Sequence, residues 1–140
     1  MGRSRICLDT GVLVAYLKGR EPGAAAVEEA VKEQDCFVTS ITVYELLFGV
    51  ARAKREIGEQ ALLETMTVVP LDDAAARRAA SLHADLIGQN QDIGIKDVFI
   101  AAICLEHSLS LLTPNVRRFI RVQGLRVLTP PNLLPVGESG

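Results

Sequence analysis

Ile6-Cys7-Leu8 is a run with no polar alternation, and it stops at a carboxylate, Asp9. Alternation marks a strand with one wet face. Its absence suits a strand buried on both faces, the kind found inside a parallel sheet. Such a strand needs helices above and below it, so this run already constrains the fold class. Asp9 then stands at the carboxyl end of the strand, and in open α/β sheets ligands bind outside those ends.

The same form recurs along the chain. Cys36-Phe37-Val38, Thr67 to Leu71, Leu109 to Thr113 and Leu125 to Leu128 read as further short strands, with Pro70 arguing for an edge or a strand end. Helix-like stretches lie between them. Residues 12–17 end near Gly19. Residues 24–34 are amphipathic, with Val27 and Val31 inward. Residues 41–51, entered through Ser40 as a cap, are apolar on nearly all sides and read as a buried helix. Residues 57–66, 74–89 (capped by Asp72 or Asp73) and 98–106 follow, then a short helix with Val116, Phe119 and Ile120 inward. Strands alternating with helices predict an α/β fold with a central parallel sheet of four to five short strands. The expected organisation is one domain over residues 1–128 and a Pro/Gly-rich tail over 129–140.

Composition sets limits on function. A chain of 140 residues that is 49% hydrophobic suits a single globular core. A net charge of −2 announces no nucleic-acid partner by itself, so any such contact must come from local basic clusters. Cys7, Cys36 and Cys104 lie in apolar runs without metal-ligand spacing, which suits free thiols in a reducing compartment. With no long apolar span, a soluble, cytoplasmic protein without membrane association is expected.

Three acids repay attention, and each has an ordinary reading. Asp9 caps a helix, or binds a metal; Asp9-Thr10-Gly11 also spells the aspartic-protease triplet, but that chemistry needs two such aspartates in a β-rich fold. Glu45 sits mid-way along an apolar helix, where a carboxylate needs a cation or a cleft, unless it faces water on a narrow stripe with Thr42 and Gly49. Asp97 is at a helix start, where the dipole alone stabilises it. Right-handed crossovers gather the strand ends at Asp9, Thr39 and Thr113 along one edge, over which the helices bearing Glu45 and Asp97 can lean. Three carboxylates facing one cleft call for a hard cation, Mg²⁺ or Mn²⁺, and such a site suits phosphodiester hydrolysis. Cys7 and His83 form no recognisable nucleophile–base pair.

Four patterns carry a family resemblance: Leu8 to Leu13, Thr39 to Gly49, Ile93 to Ala102, and Leu112 to Phe119 followed by Gly124 to Val127. In order and spacing they resemble PIN domains, in particular the VapC-like ribonuclease toxins of toxin–antitoxin pairs. The resemblance implies an α/β/α sandwich and Mg²⁺- or Mn²⁺-dependent cleavage of RNA, single-stranded or looped. It implies that Asp9, Glu45 and Asp97 are the catalytic and metal-site acids. The family's fourth acidic position falls at Asn115, which would orient a water or the metal, and Thr10 and Thr113 would support the site by hydrogen bonding. Family members dimerise, and an antitoxin protein covers the cleft. Two departures stand out: Gly11 replaces the usual asparagine or serine, and Asn115 leaves three acids, which bears on a second metal. Asp92 lies upstream of Asp97 as a possible helper, though a loop aspartate is ordinarily solvated. Arg52, Lys54, Arg55, Arg117 and Arg118, with Arg121, are candidates for guiding the RNA backbone, at least half of them expected to be plain solvated residues. With no Trp, no stacking platform is evident. The competing reading is a PIN-like module that binds RNA or protein without turnover. A haloacid-dehalogenase-type hydrolase ranks far behind, because Gly11 occupies the place of its second aspartate.

Overall fold

The computed structural model describes residues 3–133. Five strands form one parallel sheet: β1 (Arg5–Leu8), β2 (Asp35–Thr39), β3 (Thr67–Val69), β4 (Ser110–Leu112) and β5 (Val127–Leu128), in the spatial order β3-β2-β1-β4-β5. The helices are α1 (Thr10–Leu17), α2 (Gly23–Glu33), α3 (Ser40–Ala53), α4 (Glu59–Leu63), α5 (Asp73–Gly88), α6 (Ile95–Glu106), α7 (Val116–Phe119) and α8 (Pro130–Leu133).

β1 is the centre of the sheet, as its lack of alternation demands. Ile6 and Leu8 point into one apolar layer with Val12, Val27 and Val38; Cys7 points into the other with Val98, Ala101 and Leu111. Both faces of the strand are therefore dry. The chain leaves β1 for β2 on one side and returns to β4 on the other, so the order reverses beside β1. That reversal opens a crevice at the strand ends, where sheets of this type hold ligands. The Asp9 amide donates to the Leu112 carbonyl at 3.0 Å and fixes the end of β1 against β4. Pro70 follows β3, the edge strand, as its missing donor requires.

Several local expectations are corrected. Val31 is exposed; the buried stripe of α2 is Gly23, Ala26, Val27 and Ala30, spaced i, i+3, i+4, i+7, and Val31, four residues past Val27, falls at its edge. Thr39, not Ser40, caps α3, accepting from the Thr42 amide at 3.2 Å; Ser40 instead accepts from the Leu71 amide at 3.1 Å. α3 is not buried all round: only Thr42 and Leu46 are fully covered, while Tyr44 and Phe48 are exposed. The helix expected over 57–66 shrinks to α4, because Gly58 at φ +115° holds the chain outside helical geometry just before it. Ile120 is exposed, and Val122 takes the buried place beside Phe119. The segment expected as a tail begins with α8, which packs on α2; residues 134–140 lie outside the described residues.

Candidate active site

The site grows from the end of β1. Asp9 is the N-cap of α1, with Oδ1 accepting from the Thr10 amide at 2.8 Å. Its Oδ2 accepts from the Thr113 hydroxyl at 2.7 Å. Thr113 lies just past β4, is fully buried, and accepts in turn from the Asn115 amide at 2.9 Å. Asp9 thus caps α1 with one oxygen and is held against β4 by the other, so the capping role leaves the carboxylate at the strand-end crevice. At 5% exposure, burial pushes the Asp9 pKa up; the Thr113 hydrogen bond pulls it down, the charges of Asp97 and then Glu45 push it up again, and it ends at about 6.

Glu45 reaches the same place from α3. Its Oε1 accepts from the Thr10 hydroxyl at 2.6 Å, and Thr10 Oγ1 lies 2.9 Å from Thr42 Oγ1. Thr42 is fully buried, so the alternative of a solvent stripe of Thr42, Glu45 and Gly49 does not hold. Lys96 Nζ stands 3.6 Å from Glu45 Oε2. Asp97, in the first turn of α6, accepts from Arg118 Nη1 at 2.6 Å. That hydrogen bond, with the Asp97 charge, holds the Arg118 pKa above its usual value.

Asp9, Glu45 and Asp97 therefore act on one another electrostatically, but each has its own partner. Among the described residues, no three His, Cys, Asp or Glu side chains stand close enough, as oriented, to share one ion. The physical reason is visible: Asp97 is turned to Arg118 and Glu45 to Thr10 and Lys96. The chemistry of the donor set nevertheless fits a hard divalent cation. All three acids and both threonines offer oxygen, and a cation would offset both the burial that chiefly raises Asp9 and the smaller repulsion from Asp97 and Glu45.

The remaining candidates divide. Asn115 is exposed and serves through its backbone amide. Arg55 lines an open cleft of about 680 Å³ that begins at Thr10 and Glu45 and also carries Lys18 and Arg20. Arg52 lies 6.0 Å over the ring of Phe48, and Lys54 ends α3 in left-handed geometry at φ +54°. Arg117 is exposed; Arg121 donates to the Asp92 carbonyl at 3.1 Å. The Asp92 carboxylate is bound to the Gly94 amide at 3.0 Å and to His83 at 2.9 Å, so it shapes the loop before α6 rather than assisting the acids. Gly11 has a packing reason: a Cβ there would come within 3.1 Å of the Pro114 ring. Lys96, Lys18 and Arg20 were not singled out from the sequence. Lys96 had one signal, its place beside Asp97; Lys18 and Arg20 had none, since only the tertiary fold brings them to the cleft. The three cysteines are buried and free, and the hydrogen bond with Cys104, followed by burial, pushes the Cys7 thiol well above its usual pKa, which suits no nucleophile.

A model of the PIN domain family matches residues 6–125. The chain is 33% identical over 131 residues to Ribonuclease VapC1 of Rickettsia felis, covering 89% of this chain and 95% of that protein. Its fold is similar to the crystal structure of VapBC2 from Rickettsia felis bound to a DNA fragment from their promoter, with a TM-score of 0.78 and 22% identity over 89% of this chain and 98% of that one. It is also similar to VapBC-5 of Mycobacterium tuberculosis, a member of the VapBC family of toxin–antitoxin systems, with a TM-score of 0.66 and 30% identity over 90% of this chain and 97% of that one.

Proposed function

We infer the chemistry from one premise: the chain belongs to the PIN domain family, and within it to the VapC ribonuclease toxins of toxin–antitoxin pairs. On that basis it is a divalent-metal-dependent endoribonuclease acting on single-stranded or looped RNA, in the cytoplasm, restrained by a cognate antitoxin. The observation that carries the catalytic reading is Asp9. It is a carboxylate at a strand end, held by two hydrogen bonds and raised to about 6 by burial first and then by the charges of Asp97 and Glu45.

Asp9, Asp97 and Glu45 would hold Mg²⁺ or Mn²⁺, which when bound supplies a Lewis acid for the phosphodiester and an acidified water. The chain's own residues do the rest. Thr113 and the Thr10 amide lock both Asp9 oxygens in place. The Thr10 hydroxyl orients Glu45, which lines the cleft and can take a proton from the attacking water at its carboxylate. Arg55, Lys18 and Arg20 give that cleft the positive charge that an RNA backbone requires. Arg118 and Lys96 stand beside the acids as further phosphate contacts. A homodimer through the exposed side of α3 completes the reading.

The test is cleavage of a mixed pool of RNAs with Mg²⁺, with Mn²⁺ and with EDTA, comparing wild type with Asp97→Asn. Metal-dependent cleavage that drops by about 10²-fold or more in the variant is expected, as for loss of a charge-stabilising group. A folded wild type that binds Mn²⁺ yet cleaves nothing would favour the binding-module reading, for which the missing acid at Asn115 is the motivation.

A further inference from the structure

Arg118 sits on a carboxylate that the proposed function assigns to a metal ion. Its Nη1 is 2.6 Å from Asp97 Oδ2, and the Asp97 side chain is only 17% exposed. Arg118 comes from α7, whose Phe119 is fully buried and whose chain enters through Thr113, Pro114 and Asn115. The helix is therefore anchored to the same wall that holds Asp9. An arginine elsewhere on the surface, paired to an acid, is worth little and means little. Here the acid has other work, and two cations compete for it. Lys96 is in a weaker version of the same position, 3.6 Å from Glu45 and more than half exposed.

Resting on the function proposed above, we propose that Arg118 is a built-in counter-ion that passes from Asp97 to an RNA phosphate when a divalent cation takes the Asp97 carboxylate. A guanidinium presents five N–H donors in a planar fork that matches phosphate oxygens. Bound to Asp97 it is committed. Once displaced, it stands beside the acids with its fork free, where a phosphodiester must lie to react. Metal and RNA binding are then linked through one side chain, and linkage is reciprocal: each ligand raises affinity for the other. Without metal, Arg118 also offsets the repulsion among the acids, which keeps the site folded and its affinity for RNA low.

The test is Arg118→Gln in the full chain. Mn²⁺ affinity is measured by calorimetry without RNA, and binding of a labelled single-stranded RNA oligonucleotide by anisotropy, in EDTA and in Mn²⁺ at 4 °C with the probe checked for integrity. Removing the competitor should tighten Mn²⁺ binding by about two- to fivefold, the range of a partly exposed ion pair. RNA binding should weaken about three- to tenfold in Mn²⁺ and stay at the wild-type level in EDTA, where Arg118 is already engaged. Arg77→Gln, which removes the same charge from an exposed pair with Asp73 on α5, should change neither affinity. Unchanged or weaker Mn²⁺ binding in Arg118→Gln overturns the exchange, and so does an RNA loss of equal size in EDTA. A wild type that binds no Mn²⁺ removes the metal reading itself, whereas equal Mn²⁺ binding by both proteins leaves that reading standing and removes only the exchange. Arg118 is nearly half exposed, so the variant is expected to fold, and a thermal unfolding curve checks this.

Discussion

Asp9 carries a measurable tension. An aspartate in an unfolded chain titrates near 3.9, whereas folded Asp9 titrates at about 6. Between those values the folded chain binds more protons than the unfolded one. The contribution of Asp9 to metal-free stability is then greatest below pH ~4, falls as pH rises to ~6, and stays lower above it. The full effect is about 3 kcal/mol. Asp9→Asn keeps an oxygen to accept from the Thr10 amide and removes the charge. In EDTA at pH 7.5 the variant should be more stable than wild type by ~1–3 kcal/mol, with a flatter profile from pH 4 to 7. Urea denaturation across that range reads it. Mn²⁺ should reverse the ranking by stabilising wild type alone; a variant less stable than wild type in EDTA at every pH would show that Asp9 is not strained.

At the scale of elements, α1 must be held firmly because it carries Thr10 and begins at Asp9. Gly23 at the start of α2 makes this possible: a Cβ there would stand 2.7 Å from the Ala15 Cβ on α1, a contact no packing tolerates. Gly23→Ala should therefore destabilise the fold by ~1–3 kcal/mol through overpacking, and Ala15→Gly in the same chain should recover part of the loss. The unfolding midpoints of the single and double variants check it. This pair also marks where sequence reading stops. The strands were legible because β1 and β4 are dry on both faces and say so by their lack of alternation. Glu45 stood out as a charge in an apolar helix, Asp9 as a carboxylate at a strand end and Asp97 only as a helix-start acid, and the PIN resemblance is what proposed them as one set. What one segment cannot reveal is its neighbour. α3 is apolar on nearly all sides, but whether a given side of it is covered depends on α1 and α6, so Tyr44 and Phe48 were expected inside. Thr42 and Lys96 have no meaning until Thr10 and Glu45 are beside them, and Val31 and Ile120 fit their helical patterns yet meet no partner.

Among the exposed apolar side chains of the described residues, two stand together as a pair. Tyr44 is 57% and Phe48 49% exposed, with stacked rings 5.7 Å apart on the outer side of α3. Single exposed apolar residues are ordinary, but a stacked aromatic pair on one helix suits an interface. A net charge of −2 offers little repulsion between copies. Wild type should sediment as a dimer at micromolar concentration, and Tyr44→Lys with Phe48→Lys as a monomer. Because neither residue is in the core, the variant's unfolding at low protein concentration should stay within ~1 kcal/mol of wild type. A variant that remains dimeric would move the interface elsewhere. Glu45 lies between the two aromatics in sequence but faces the cleft instead, so the same experiment asks a question about the site. A monomeric variant that binds Mn²⁺ as wild type does would mean that one chain completes the acid cluster, and that dimerisation serves the shape of the RNA surface rather than the chemistry.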